Sequence, residues 1–206
     1  MKPSGLRTSL LKVLRGCFKA QETGVFFRST NLEQAGDIDI FLASDKVSEF
    51  LLDFEMGLFG HHNMERYYDL TNKEVIKVDF FDVVTGEKDH IDLWYYRQFK
   101  TEIGCYYINN KHLVASGMSN GNDRLEPNLE ALYYMLHLVD RKRLVEKKDI
   151  SAFDSLLSQM PINDVYAICL EQFKATKNMD SDSLRLIVNQ AINDGFLLKG
   201  TDSHRR

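Results

Sequence analysis

Cysteine is scarce in this chain. The 206 residues hold three, Cys17, Cys105 and Cys169, odd in number, far apart and in no CxxC spacing. This argues against a disulfide framework or a thiolate zinc site, and it fits a reducing cytoplasm. Long hydrophobic runs are lacking too, with no window approaching the roughly 20 apolar residues of a membrane span, so no membrane partner is expected. Nor is there a basic surplus: the formal net charge is −4. A general nucleic-acid binder neutralises phosphates with excess Lys and Arg, so a long polynucleotide is disfavoured as a substrate. A small anion held by a local basic cluster stays compatible. No GxxxxGK[ST], GxGxxG or GxSxG motif occurs, so P-loop, dinucleotide and serine-hydrolase chemistry find no anchor.

What is present is ordinary globular material, 44% hydrophobic and 27% charged, long enough for one core plus a helical appendage. The N-terminus is basic, with no acid before Glu22. A transit peptide has that character, but Leu6, Leu10, Leu14, Cys17 and Phe18 recur at helical spacing and predict a structural helix over 5–20. A short strand follows at Val25 to Phe27, a loop at 29–36, and a strand over Asp37 to Ala43. Ser44 is suited to cap a helix over 45–56 that Gly57 ends. Residues 74–84 and 90–96, joined by a turn at 85–87, predict an antiparallel strand pair.

From Pro127 the apolar spacing turns helical. One long helix is expected over 127–148, with two more near 162–177 and 182–195. The polar, glycine-bearing stretch 114–126 reads as a linker. The expected fold class is α/β (α+β): a small mixed β-sheet core over 1–115 and a helical C-terminal region over 116–206.

The segment Gly36-Asp37-Ile38-Asp39-Ile40-Phe41-Leu42 carries the chemistry. In a strand, positions i and i+2 share a face, about 6.6 Å apart, so Asp37 and Asp39 lie together while Ile38, Ile40 and Leu42 face the core. Like charges 4 Å apart repel by about 4 kcal/mol at an effective dielectric of 20. A proton or a divalent cation relieves this. Mg²⁺ favours one or two carboxylates with phosphate oxygens and water. Asp92, flanked by Ile91 and Leu93, is the best third acid; Asp79 and Asp82 are the alternatives. The plain structural reading of such a pair is two solvated side chains on alternating positions.

These residues resemble the nucleotidyltransferase superfamily, the polymerase-beta-like fold: a helix, a strand, a small-residue loop, a D-x-D strand, and a third acid on a later strand. The matching residues are Arg28-Ser29-Thr30, Gly36-Asp37-Ile38-Asp39 and Ile91-Asp92-Leu93. The pattern is similar to bacterial nucleotidyltransferase-like proteins associated with surface-polysaccharide gene clusters. The resemblance implies a cytoplasmic enzyme that transfers an NMP from a nucleoside triphosphate to an acceptor hydroxyl of unidentified identity. Mg²⁺ or Mn²⁺ would be held by Asp37, Asp39 and Asp92 as catalytic and metal-binding residues. Arg28, Ser29 and Thr30 would contact phosphates, with Arg141 and Lys142 as further phosphate ligands. The superfamily's glycine is absent from the Arg28-Ser29-Thr30 turn. That departure favours the alternative, an inactive binding or regulatory module of the same fold with a protein partner, as in a toxin–antitoxin pair.

The remaining candidates have simpler readings. Arg141, Lys142, Arg143, Lys147 and Lys148 also suit a solvated helix end. His61 and His62 suit a loop in water. His90, two residues from Asp92, shares its face and is placed to aid proton transfer, or to serve structure alone.

Overall fold

The computed structural model describes residues 5–21, 23–27, 32, 37–119, 125, 127–141, 146–158 and 163–200. Among these the chain is a mixture of helix and strand, with seven helices and eight strands. It divides into two compact units, 1–96 with 110–125, and 97–109 with 126–206.

Alternation builds the first unit. It comprises α1 (Gly5–Gln21), β1 (Gly24–Phe27), β2 (Ile38–Leu42), α2 (Val47–Leu58), β3 (Met64–Asp69), β4 (Val75–Asp82), β5 (Lys88–Trp94) and, later in the chain, α3 (Asn110–Ser119). The five strands form one mixed sheet in the order β1-β2-β5-β4-β3. β2 and β5 run parallel, and every other neighbouring pair is antiparallel. The expected pairing of β4 with β5 is present.

Every second strand residue turns to one face, and that face is apolar. Phe26, Ile38, Ile40, Leu42, Ile76, Val78, Phe80, Ile91 and Leu93 share a core with Leu6, Leu10, Leu14, Phe18, Phe50, Phe54 and Leu58 of α1 and α2. Ring contacts run Phe18–Phe26 at 4.9 Å and Phe50–Phe54 at 5.7 Å.

One buried ion pair stitches this layer. Arg7 of α1 donates from Nε to Asp89 Oδ2 at 2.9 Å and from Nη2 to Asp89 Oδ1 at 2.8 Å. Its Nη1 reaches the Leu32 carbonyl at 3.4 Å. The N-terminus of α1 has no acid of its own, and the Leu6 N–H donates instead to Glu87 Oε2 at 2.9 Å.

α2 departs from expectation at both ends. Ser44 does not cap it. Residues 43–46 form a turn, with Lys46 N donating to Ala43 O at 2.9 Å, and the helix begins at Val47. Gly57 does not end it either. The helix runs through Gly57 to Leu58, and a Cβ at Gly57 would lie 2.6 Å from Val13 Cγ1. The glycine is there because α1 and α2 approach closely, not because the helix stops.

The expected linker 114–126 is also corrected over its first part. Residues 110–119 form α3, which packs against β1 and β2. Asn110 at its start donates from Nδ2 to the Leu42 carbonyl at 3.0 Å and the Trp94 carbonyl at 3.2 Å. It thereby clamps the C-terminal ends of β2 and β5. Residues 120–124 and 126 lie outside the described residues.

The second unit holds β6 (Gln98–Thr101), β7 (Gly104–Ile108), α4 (Pro127–Asp140), α5 (Lys147–Ser158), α6 (Asp164–Thr176), α7 (Ser181–Asn193) and β8 (Leu197–Lys199). The strands make an antiparallel sheet in the order β6-β7-β8. The hairpin over 97–109 therefore belongs with the helical part, where the sequence places it in the first region. The long helix expected over 127–148 is two helices. α4 ends at Asp140, whose carboxylate accepts from Arg97 Nη2 at 3.0 Å and Lys100 N at 2.9 Å. Asp149 then opens α5 by accepting from Glu146 N at 2.9 Å. The later two helices are capped by Asn163, which accepts from Val165 N, and Asp180, which accepts from Ser183 N.

Candidate carboxylate site

The second face of the five-stranded sheet carries what the first cannot. β2 sends Ile38, Ile40 and Leu42 into the core, so Asp39 turns the other way. β5 sends Ile91 and Leu93 into the core, so His90, Asp92 and Trp94 turn the same way as Asp39. In the parallel register of the two strands Asp39 stands directly opposite Asp92. Neighbouring strands lie about 4.8 Å apart. Two acids from distant sequence therefore sit side by side, and both are buried, at 8% and 9% exposure.

Each acid is already engaged. The Trp94 indole N–H donates to Asp39 Oδ1 at 3.1 Å. His90 lies between two carboxylates, with Nε2 at 2.8 Å from Asp92 Oδ1 and Nδ1 at 2.6 Å from Asp79 Oδ1. Burial alone would lower the His90 pKa. The hydrogen bonds to Asp79 and Asp92, with their charges, outweigh burial and hold it above the ordinary imidazole value. The imidazolium partly offsets the repulsion between two buried acids. Lys77 stands opposite Asp92 on the other side, in the β4–β5 register.

Asp37 is exposed in the bend immediately before β2. Asp79 shares the second face and reaches His90 from β4, with its side chain 69% exposed. Asp82 is no substitute for Asp92. It belongs by alternation to the opposite face with Val78 and Phe80. Its carboxylate accepts from Val84 N and Thr85 N, both at 2.9 Å, which hold it below the usual carboxylate range.

The other expected residues lie outside the described residues, in the second unit, or in loops and helices of their own. Arg28, Ser29, Thr30 and Lys142 lie outside them, as do Arg143 and most of the loop 28–36. Arg141 is exposed just past α4 in the second unit. Arg141 directly follows α4, and Lys147 and Lys148 lie in the first turn of α5. His61 and His62 are exposed in a loop, and His137 stacks on Tyr133 at 5.8 Å in α4. Trp94 was legible only by its parity with Asp92 in His90-Ile91-Asp92-Leu93-Trp94, and Lys77 only through the register.

Compared with known proteins, the chain matches no protein-family model and no curated protein. Among the described residues no helix is long and apolar enough to cross a membrane. None of the described His, Cys, Asp and Glu side chains gather in threes or more as a ready metal cage. The donor chemistry still suits a hard cation. Two adjacent carboxylates are what Mg²⁺ takes when phosphate oxygens and water complete its octahedron.

Proposed function

We propose that this protein is a metal-dependent nucleotidyltransferase that moves an NMP from an NTP to an acceptor hydroxyl on a small molecule or protein. The observation supporting it most is the direct juxtaposition of Asp39 and Asp92 across the parallel β2–β5 pair. Asp39 and Asp92, with Asp37 at the strand mouth, hold Mg²⁺ or Mn²⁺. When bound, the cation neutralises triphosphate charge. Asp92 takes the proton of the acceptor hydroxyl. The acceptor oxygen bonds to the α-phosphorus, and the bond from that phosphorus to the bridging oxygen breaks, so pyrophosphate leaves. His90 orients Asp92, and Trp94 orients Asp39. Such transfers rest on positioning and charge stabilisation rather than a covalent enzyme intermediate. Arg28, Ser29 and Thr30 are the proposed phosphate ligands.

One observation favours a second reading, an inactive nucleotide- or partner-binding module. Trp94 and His90 already satisfy one oxygen of each acid, so the fold stands without a cation. Incubation with each labelled NTP and Mg²⁺ or Mn²⁺ tests the first reading. Pyrophosphate release is expected, reduced at least about 100-fold by Asp39→Asn or Asp92→Asn. NTP-induced thermal stabilisation that needs no cation and survives Asp37→Ala/Asp39→Ala, with no pyrophosphate from any NTP, would favour the module instead.

A further inference from the structure

The helical layer, on the far side of the sheet from Asp39 and Asp92, carries a groove of about 720 Å³ between α1 and α2. Lys12, Val13 and Gly16 line it from one helix, and Asp53, Met56 and Gly57 from the other. Glycine shapes it. Gly57 lets the helices close on Val13, while above Gly16 an added Cβ would meet nothing within 4 Å.

Beside the groove runs a ridge. Leu52, Met56 and Phe59 are 62%, 68% and 84% exposed. Spacings of four and three place them on one side of α2 and its end. Phe50, Phe54 and Leu58 meanwhile fill the core from the other side. The helix is thus apolar on two faces, and only one of them is covered by its own unit.

The charges follow the same pattern. Lys12 and Asp53 stand on opposite walls of the groove, and neither is in an ion pair among the described residues. One patch therefore carries a ridge and a groove, with a cation and an anion that form no ion pair among the described residues. Such a combination suits a two-fold interface, where residue i meets residue j and j meets i. The three ridge side chains expose roughly 400 Å², about half of the ~800 Å² that each partner contributes to a standard interface. The groove walls supply further surface.

We propose that a second copy of this chain docks here about a two-fold axis. The Leu52–Met56–Phe59 ridge of each protomer enters the groove of its partner, and each Lys12 faces an Asp53 across the axis. The surface is independent of the carboxylate face.

Sedimentation equilibrium of the full chain across the micromolar range tests this. A reversible dimer is expected. Gly16→Leu fills the groove where the monomer has open space and improves helix propensity, so the fold is kept while the dimer dissociation constant rises at least about tenfold. Lys12→Asp and Asp53→Lys each weaken the dimer. The combined exchange restores affinity to within roughly threefold, because the pair re-forms with its charges swapped. A chain that stays monomeric throughout, or a dimer indifferent to Gly16→Leu, overturns the proposal. A dimer weakened by Gly16→Leu but not restored by the double exchange overturns the Lys12–Asp53 pairing.

Discussion

Removing the Asp89 carboxylate should be among the costliest single changes in the first unit. The Arg7 and Asp89 side chains are each 7% exposed. Two hydrogen bonds of 2.9 and 2.8 Å join them. In Asp89→Ala the guanidinium loses both of these bonds and remains desolvated. Breaking a buried pair in this way costs about 3–5 kcal/mol, a large share of the roughly 5–15 kcal/mol that holds a domain folded. With a urea slope of about 2 kcal/mol per molar, the unfolding midpoint falls by roughly 2 M. Trp94 is the single tryptophan of the chain and lies in the same unit, so indole fluorescence reads this unit directly. Arg7→Met/Asp89→Leu removes both charges and leaves the unfolding free energy within about 1 kcal/mol of wild type. A loss below about 1 kcal/mol in Asp89→Ala would refute the reasoning, because the guanidinium would then have found water.

Three further outcomes follow from the geometry. His90 has a raised pKa, so its contribution to stability is complete below about pH 6.5, where the unfolded imidazole is also charged, and is lost as pH rises through the folded-state pKa. Proton NMR titration in chelator should place His90 above the ordinary value. Asp79→Asn should lower that pKa and shrink the pH dependence of the unfolding midpoint; an unmoved titration would mean that Asp79 does not hold the His90 charge. Gly57→Ala gains helix propensity yet drives a Cβ to 2.6 Å from Val13 Cγ1, so a net loss of about 1–3 kcal/mol is expected. Chemical denaturation should show the loss relieved by adding Val13→Ala. Asn110→Ala leaves the Leu42 and Trp94 carbonyls without their side-chain donor, for a loss of about 1–3 kcal/mol; an unchanged fluorescence-detected midpoint would mean that water replaces the clamp.

How much of this was legible follows from the range of the forces involved. Alternation in Asp37-Ile38-Asp39-Ile40 shows which residues turn to the core, because the pleat has a period of two and the core demands apolar side chains. The same reasoning places Ile91 and Leu93 inward and Asp92 outward. The strand order was not legible. That β5 rather than β4 lies beside β2 depends on long-range pairing, and only this order sets Asp92 against Asp39. The helix ends were misread at residues that answer to tertiary contacts. Asp140 turns away to Arg97 and Lys100, which lie about forty residues earlier. Gly57 resembles a stop signal locally but serves a helix crossing. β3 was missed as a strand of its own: Glu65, Arg66, Tyr67, Tyr68 and Asp69 at the sheet edge lack the apolar alternation that a covered strand shows.

The parallel β2–β5 pair has a consequence for how the molecule comes together. In sequence, that seam joins a first stretch holding α1, β1, β2 and α2, contiguous up to Leu58, to the β3–β4–β5 meander, contiguous from Met64. Each half can organise through neighbours close in sequence, but the seam joins residues more than fifty positions apart, and such closures are slow. Asp39 and Asp92 meet only when it shuts. A nascent or half-assembled chain therefore has no paired carboxylates. The exposed loop around Gly60 and His61 is the natural place to cut the gene in two and ask whether separately expressed pieces find each other.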